Sequence, residues 1–224
     1  TPEIEKLLND QYLKSIINNS DNKYTLEPKN TTVIVTSDQE GNTIALCHSL
    51  GYGSGVYTKN LGFMYNNCMS GFDPLPNNPN SIAPGKARST AIAQTIVLKN
   101  GKPKLILGSP GGSHITAGLA QAIINYFHFK MDLQDAVCRP RFDAYKDTLL
   151  LESRMPYTLE NELSNRWKIL RSPSPFGVVG RIYAIAFTGN GPKPGYDPGE
   201  AATASELLQK THFSNQPVLS MPLV

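Results

Sequence analysis

The run Gly108-Ser109-Pro110-Gly111-Gly112-Ser113 follows the strand-like stretch Lys104-Leu105-Ile106-Leu107 and leads into a helix-like stretch. A turn of this kind can aim consecutive backbone N–H groups at one point, where they hold a developing negative charge. Turn glycines are more often packing solutions, so the run gains meaning only beside a nucleophile. Thr31-Thr32 offers one. A threonine hydroxyl attacks poorly unless a base takes its proton. A threonine at a new chain start carries that base itself, an α-amine with a pKa of roughly 8. Such a site needs a strand that begins at the threonine, a flexible connector before it, and N–H donors for the tetrahedral oxyanion. Thr31 follows a polar connector and opens a strand, and Gly111 and Gly112 can supply the donors.

The elements that must position these groups are legible as patterns. Within residues 2–18, Ile4, Leu7, Leu8, Tyr12, Leu13, Ile16 and Ile17 recur three and four apart, which predicts an amphipathic helix. The polar connector after it, up to Asn30, is the clearest composition break and divides the chain into 1–30 and 31–224. Period-two runs at 32–36 and 43–47 flank Asp38-Gln39-Glu40-Gly41-Asn42 and predict a β-hairpin. Further strands are expected at 61–66, 95–98, 104–107 and 181–187, with a Pro- and Asn-rich loop over 73–88. Helices are expected at 114–128, 132–138 and 157–166, and the stretch from 189 is rich in Gly and Pro. Hairpins with helices grouped between them argue for an α+β layered fold. Strict β-α alternation, which a doubly wound nucleotide-binding fold needs, is missing.

Bulk composition narrows the function classes. The chain has 224 residues, 40% hydrophobic and 17% charged, which suits one good core. A net charge of +3 from scattered lysines gives no support to nucleic-acid binding, and the longest apolar runs fall short of a membrane span. The three cysteines, Cys47, Cys68 and Cys138, fit neither a disulfide framework nor a zinc pattern. His48, His114, His128 and His212 lack ligand spacing, so no metal or other cofactor is implied. Thr1 is read as a processing or fragment boundary.

Several segments occur in one collinear order. Thr31-Thr32 is followed by Asp38, Gly41-Asn42 and Gly53-Ser54-Gly55-Val56. Asn66-Asn67, Pro79-Asn80-Ser81-Ile82-Ala83-Pro84-Gly85-Lys86 and the stretch from Thr95 to Pro103 come next. The glycine run, Pro140-Arg141 and Asp197-Pro198 complete the series. From Thr31 to about Ala202 the chain thereby resembles the small subunit of the γ-glutamyltranspeptidases, members of the N-terminal-nucleophile hydrolase superfamily.

The resemblance implies a four-layer αββα sandwich completed by a large subunit outside this chain. A precursor of this type cleaves itself before the nucleophilic threonine, and its two pieces stay together. By position, Thr31 is the nucleophile, Thr32 a neighbouring supporting hydroxyl and Ser49 a second one. Gly111 and Gly112 carry the oxyanion N–H groups. Residues 1–30 correspond to the end of the large subunit and 31–224 to the catalytic small subunit. The large subunit is the implied partner and supplies a carboxylate-binding arginine. Thr1 is not the expected nucleophile, because Pro2 reads as the first turn of a helix. An intact Asn30–Thr31 bond would leave no α-amine. The resemblance is compatible with an extracellular or periplasmic place, and the sequence assigns no compartment.

The parts that grip a γ-glutamyl group depart from the family pattern. Members usually read Asn-Asn-Gln/Glu-Met-x-Asp-Phe, whereas this chain reads Asn66-Asn67-Cys68-Met69-Ser70-Gly71-Phe72. Cys68 thus replaces the amide and Gly71 the acid that bind the substrate's α-amino group. Gly51 stands for the usual Asn after the first hairpin, and Thr90-Ala91 for a Ser-Ser pair. The expected substrate-binding residues are therefore Gly51, Asn67, Cys68, Gly71, Thr90 and Ala91. An ammonium placed there forfeits a charge-assisted hydrogen bond. The expected activity is amide hydrolysis or acyl transfer through an acyl-enzyme, on a small-molecule or peptide amide, with specificity shifted away from γ-glutamyl groups. The alternatives are a true γ-glutamyltransferase or glutathione hydrolase that uses large-subunit contacts, and a non-maturing scaffold or binding homologue. Asp197 with Arg141 reads as a structural pair, and Cys68 as a packing residue.

Overall fold

In the computed structural model, which describes residue 11, residues 31–38 and 40–199, and the strands at 205–207 and 218–220, the first hairpin forms as its alternation predicts. Strands β1 (Thr31–Ser37) and β2 (Thr43–Ser49) pair antiparallel from Thr31↔Ser49 to Ser37↔Thr43. Asp38 closes the turn: its carboxylate accepts Asn42 N–H at 2.8 Å and Asn42 Nδ2 at 2.6 Å, contacts that hold the Asp38 carboxyl below its ordinary range. The amphipathic helix expected at 2–18 and the connector behind it lie outside the described residues, Gln11 excepted.

A second hairpin, β3 (Thr95–Lys99) and β4 (Lys102–Gly108), stands at one side of another sheet. Helix α1 (Ile115–Phe127) and helix α2 (Leu133–Cys138) follow, the latter capped by Asp132, whose side chain accepts Gln134 N–H. A small sheet comes next: β5 (Phe142–Tyr145), β6 (Thr148–Leu151) and, beyond helix α3 (Tyr157–Leu163), β7 (Lys168–Arg171) parallel to β6. Strands β8 (Tyr183–Thr188) and β9 (Gly191–Tyr196) complete the second sheet in the order β3-β4-β8-β9. Strands β10 (Ser205–Leu207) and β11 (Val218–Ser220) join the first, in the order β10-β11-β1-β2.

Alternation along β4 and β8 divides their side chains between two interfaces. Leu105, Leu107, Ala184 and Ala186 pack on α1 and α2 through Ile115, Leu119 and Leu133. Ile106, Tyr183 and Ile185 turn the other way and meet Val33 and Val35 of β1. Each fully buried aliphatic chain contributes roughly 1.5–3 kcal/mol, so two faces of two short strands hold three layers together. Helices, then one sheet, then the other: the α+β expectation of separate layers holds. The far face of the first sheet shows Ile44 and Leu46, 59% and 51% exposed.

Three expectations change. No strand forms over 61–66; a single bridge, Tyr57↔Met64, and the bond from Tyr65 N–H to Val56 C=O hold that segment as a surface loop. The Gly- and Pro-rich stretch after 189 supplies β9, which tolerates proline because it lies at the sheet edge. Pro192 and Pro194 are two apart, so their missing N–H groups both fall on one side of the strand. Helix α3 ends at Leu163, three residues short of the predicted 166.

Candidate active site

Strand parity decides which hydroxyls can meet. Thr31 has the parity of Val33 and Val35, the residues of β1 that face the second sheet, and Ser49 is its cross-strand partner. Their hydroxyl oxygens lie 2.9 Å apart. Gly51 N–H donates to the Ser49 oxygen at 3.0 Å, which fixes that hydroxyl from the other side. Gly51 takes φ of +64°, the left-handed region that glycine enters freely, and the chain turns there.

Thr32 is not brought to this pair. Alternation sends it to the opposite face, opposite His48, where it borders a separate hollow with Phe63 and Tyr65. The hydroxyl within hydrogen-bond distance of Thr31 Oγ1 is that of Ser49.

Thr31 and Ser49 open on a cavity of about 460 Å³. On the same side it is lined by Gly112 and Ser113 of the glycine run. Gly111 and Gly112 both have positive φ, +148° and +59°, and together start the 3₁₀ turn Gly112–His114 that leads into α1. Gly112 borders the cavity, while Gly111 sits behind it, where a Cβ would lie 2.8 Å from the Cα of Gly180.

The backing of this turn was not apparent from the sequence. Arg181 N–H donates to Pro110 C=O at 3.1 Å. Arg141, fully buried, donates from Nε to Val179 C=O and from Nη2 to Gly180 C=O, each at 2.9 Å. The same guanidinium pairs with the buried Asp197 carboxylate, and Glu152 accepts Arg141 N–H at 3.0 Å. Burial pushes the Glu152 carboxyl up, against the pull of Arg141. Arg141 and Asp197 are thus the structural pair that was expected, and they brace the segment against which Gly111 rests. His114, next in the turn, is held through Nδ1 by Asp143 at 2.6 Å.

Another wall is made of loops. Asn67 and Cys68, at the start of a 3₁₀ turn, line it, followed by Gly71. Thr90 and Ala91 complete it, so every candidate substrate-binding residue, with Gly51, borders the one cavity. Asn67 N–H reaches back to Leu50 C=O at 2.8 Å and ties the wall to the end of β2. Asn80 joins its two halves: Nδ2 donates to Gly71 C=O at 2.7 Å and Oδ1 accepts Ser89 N–H at 2.9 Å. The segment holding Asn80 was singled out by its sequence, but its bridging role was not. Arg88 also lines the cavity and was missed, since a lone arginine in a polar loop carries no periodic or spacing signal.

The family model described as Gamma-glutamyltranspeptidase matches residues 2–207 of this chain. The acylase ACY 1 proenzyme of Pseudomonas sp. (strain V22) is 36% identical over 168 residues, covering 74% of this chain and 30% of that protein. The glutathione hydrolase proenzyme of Pseudomonas aeruginosa is 32% identical over 146 residues, covering 58% of this chain and 26% of that protein. The chain thus spans between a quarter and a third of the length of these curated relatives. Among solved structures, γ-glutamyltranspeptidase from Pseudomonas nitroreducens complexed with L-DON superposes with a TM-score of 0.68 at 26% identity, covering 76% of this chain and 96% of that one. The shared architecture is that of the N-terminal-nucleophile hydrolases.

Proposed function

This chain belongs to the γ-glutamyltranspeptidase family, and on that premise we propose that it forms the catalytic part of a threonine-dependent amidohydrolase or acyltransferase. Cleavage before Thr31 frees the α-amine. That amine takes the hydroxyl proton as Thr31 Oγ1 bonds to the substrate carbonyl carbon. Ser49, held by Gly51, donates to Thr31 Oγ1 while charge gathers there, and the N–H groups of Gly111 and Gly112 receive the oxyanion. The C–N bond then breaks, and the amine leaves with the stored proton. Water or a second amine adds to the threonyl ester and gives its proton to the α-amine; the acyl C–Oγ1 bond then breaks, Thr31 Oγ1 takes that proton back, and the acyl group leaves as an acid or a new amide. The observation that carries this reading is the 2.9 Å hydroxyl pair opening on the same cavity as Gly112.

The acyl group is proposed to differ from γ-glutamyl. Cys68, Gly71, Thr90 and Ala91 all border the cavity, and none brings a carboxylate for an ammonium. A relative named acylase stands among the similar proteins beside one named glutathione hydrolase, so departure of the acyl pocket within the family has precedent. The partner is proposed to be a large subunit from the same precursor. Relatives named proenzymes and the exposed Ile44 and Leu46 on the outer face of the first sheet support it.

The test is N-terminal sequencing of the purified full-length protein together with turnover of acyl anilides. The wild type should yield a chain that starts at Thr31, and Thr31→Ala should stay uncut and lose turnover by more than about a thousandfold. Turnover by a wild type whose Asn30–Thr31 bond is intact would overturn the mechanism.

A further inference from the structure

The loop wall carries a charge that the catalytic reading does not use. Among the described residues lining the cavity, Arg88 is the single charged one. It is half-buried, and its Nη1 donates to the neighbouring Ser89 C=O at 2.9 Å. No carboxylate among the described residues pairs with it. A guanidinium presents a planar fork of N–H donors, and one bond to a carbonyl leaves most of that fork unspent.

Gly71 shows that Arg88 is seated there by design of the wall. Gly71 has no positive φ, so the backbone does not demand glycine at this position. What glycine leaves is room for Arg88 as it is seated: a Cβ on residue 71 would lie 2.8 Å from Arg88 Nη1 and 3.0 Å from its Cδ. Any larger side chain, an aspartate included, would start inside the volume the arginine fills. Asn80 locks the arrangement, because it bonds Gly71 with one end of its amide and Ser89 with the other. The wall therefore places a base in the space that a side chain at residue 71 would enter. A donor with an ammonium there meets a like charge, while a donor with a carboxylate meets a fork-shaped partner.

We propose that Arg88 is a specificity-determining residue that pairs with a free carboxylate on the acyl group, so that the site takes monoamides of dicarboxylic acids that lack the α-ammonium. The assignment rests on the threonine reading above, which places the acyl group in this cavity.

The test uses the full-length protein after maturation and three anilides with five-carbon acyl chains: glutaryl, pentanoyl and γ-glutamyl p-nitroanilide. In the wild type, kcat/KM for the glutaryl compound should exceed the other two by roughly 10- to 100-fold. Arg88→Gln should erase the glutaryl-to-pentanoyl ratio while the pentanoyl rate stays within about twofold, and Arg88→Lys should retain part of it. A ratio unchanged in Arg88→Gln overturns the proposal, as would happen if a carboxylate from the rest of the protein engaged Arg88. A wild type that prefers the γ-glutamyl or pentanoyl compound overturns it too. Glutarate binding, read by calorimetry on wild type and Arg88→Gln, reports the same contact without chemistry. If no anilide turns over although the chain starts at Thr31, the threonine reading fails. Glutarate binding that Arg88→Gln weakens roughly tenfold or more then still upholds the anion contact, and binding that is absent or unaltered overturns it.

Discussion

Two glycines show how differently the two walls of the cavity are built. At Gly111, a Cβ would meet the Cα of Gly180 at 2.8 Å, backbone against backbone, at φ of +148°. At Gly71, a Cβ would meet Nη1 of Arg88 at the same 2.8 Å, the end of a flexible side chain. The first conflict relaxes only if two chain segments part, and one of them is clamped by Arg141 through Val179 and Gly180. The second relaxes by a change of rotamer. On the proposed mechanism, groups that must meet reacting atoms within tenths of an ångström are carried by strand ladders and a braced turn, and the residues proposed to choose the acyl donor by loops, where one side chain can change at little cost to the fold.

The comparison breaks most severely if the braced wall loses its support. Arg141→Met leaves the Asp197 carboxylate buried without its cation, while Glu152 keeps Arg154 at 3.3 Å. The expected loss is about 3–5 kcal/mol in denaturant unfolding, because an uncompensated buried charge costs more than an absent pair. A loss below about 1 kcal/mol would show that the network does not support the turn.

Gly111→Ala strikes the same wall at its working end. The added methyl meets Gly180 and forces the turn, so kcat should fall roughly 100- to 1,000-fold, the scale of one misplaced oxyanion donor. Secondary structure by circular dichroism should persist, and kcat near wild type would sever Gly111 from the oxyanion. Ser49→Ala is milder. It removes the hydroxyl 2.9 Å from Thr31 Oγ1 and also frees Gly51 N–H, for about tenfold in kcat at little change in KM. An unchanged kcat would reduce the pair to packing.

How far the sequence foretold this division follows the range of the signals. The hairpin β1–β2, the hairpin β3–β4 and helices α1 and α2 are local patterns, and they stand near the expected positions. Strands β5 and β6 were missed because their turn uses Lys146 at φ of +52°, where Gly or Asn would have marked it. The parallel partner β7 is found only by a contact across α3, which no local period encodes. In the site, Thr31, Ser49 and Gly112 were legible from their order along the chain, and the structure gathers them at one cavity. Thr32 was grouped with them by adjacency, and the structure sets it on the other face, because neighbours in a strand point to opposite sides. Arg88 and Asn80 work through loop-to-loop contacts that exist only once 66–91 has folded back on itself.

The smallest expected effect on stability gives the sharpest test of the contrast. Gly71→Ala adds the same single methyl as Gly111→Ala, at the same 2.8 Å from its nearest neighbour, but against a side chain. Unfolding free energy should move by no more than about 0.5 kcal/mol, as for a substitution that its surroundings absorb. Arg88 must nonetheless swing away from residue 71, since both Nη1 and Cδ lie within the methyl's reach. The glutaryl-to-pentanoyl ratio should therefore shift severalfold while the pentanoyl rate, which depends on Thr31, Ser49 and the glycine turn, holds. If Gly71→Ala instead lowers all rates alike, the loop wall is part of the catalytic frame, and the division between the two walls does not exist.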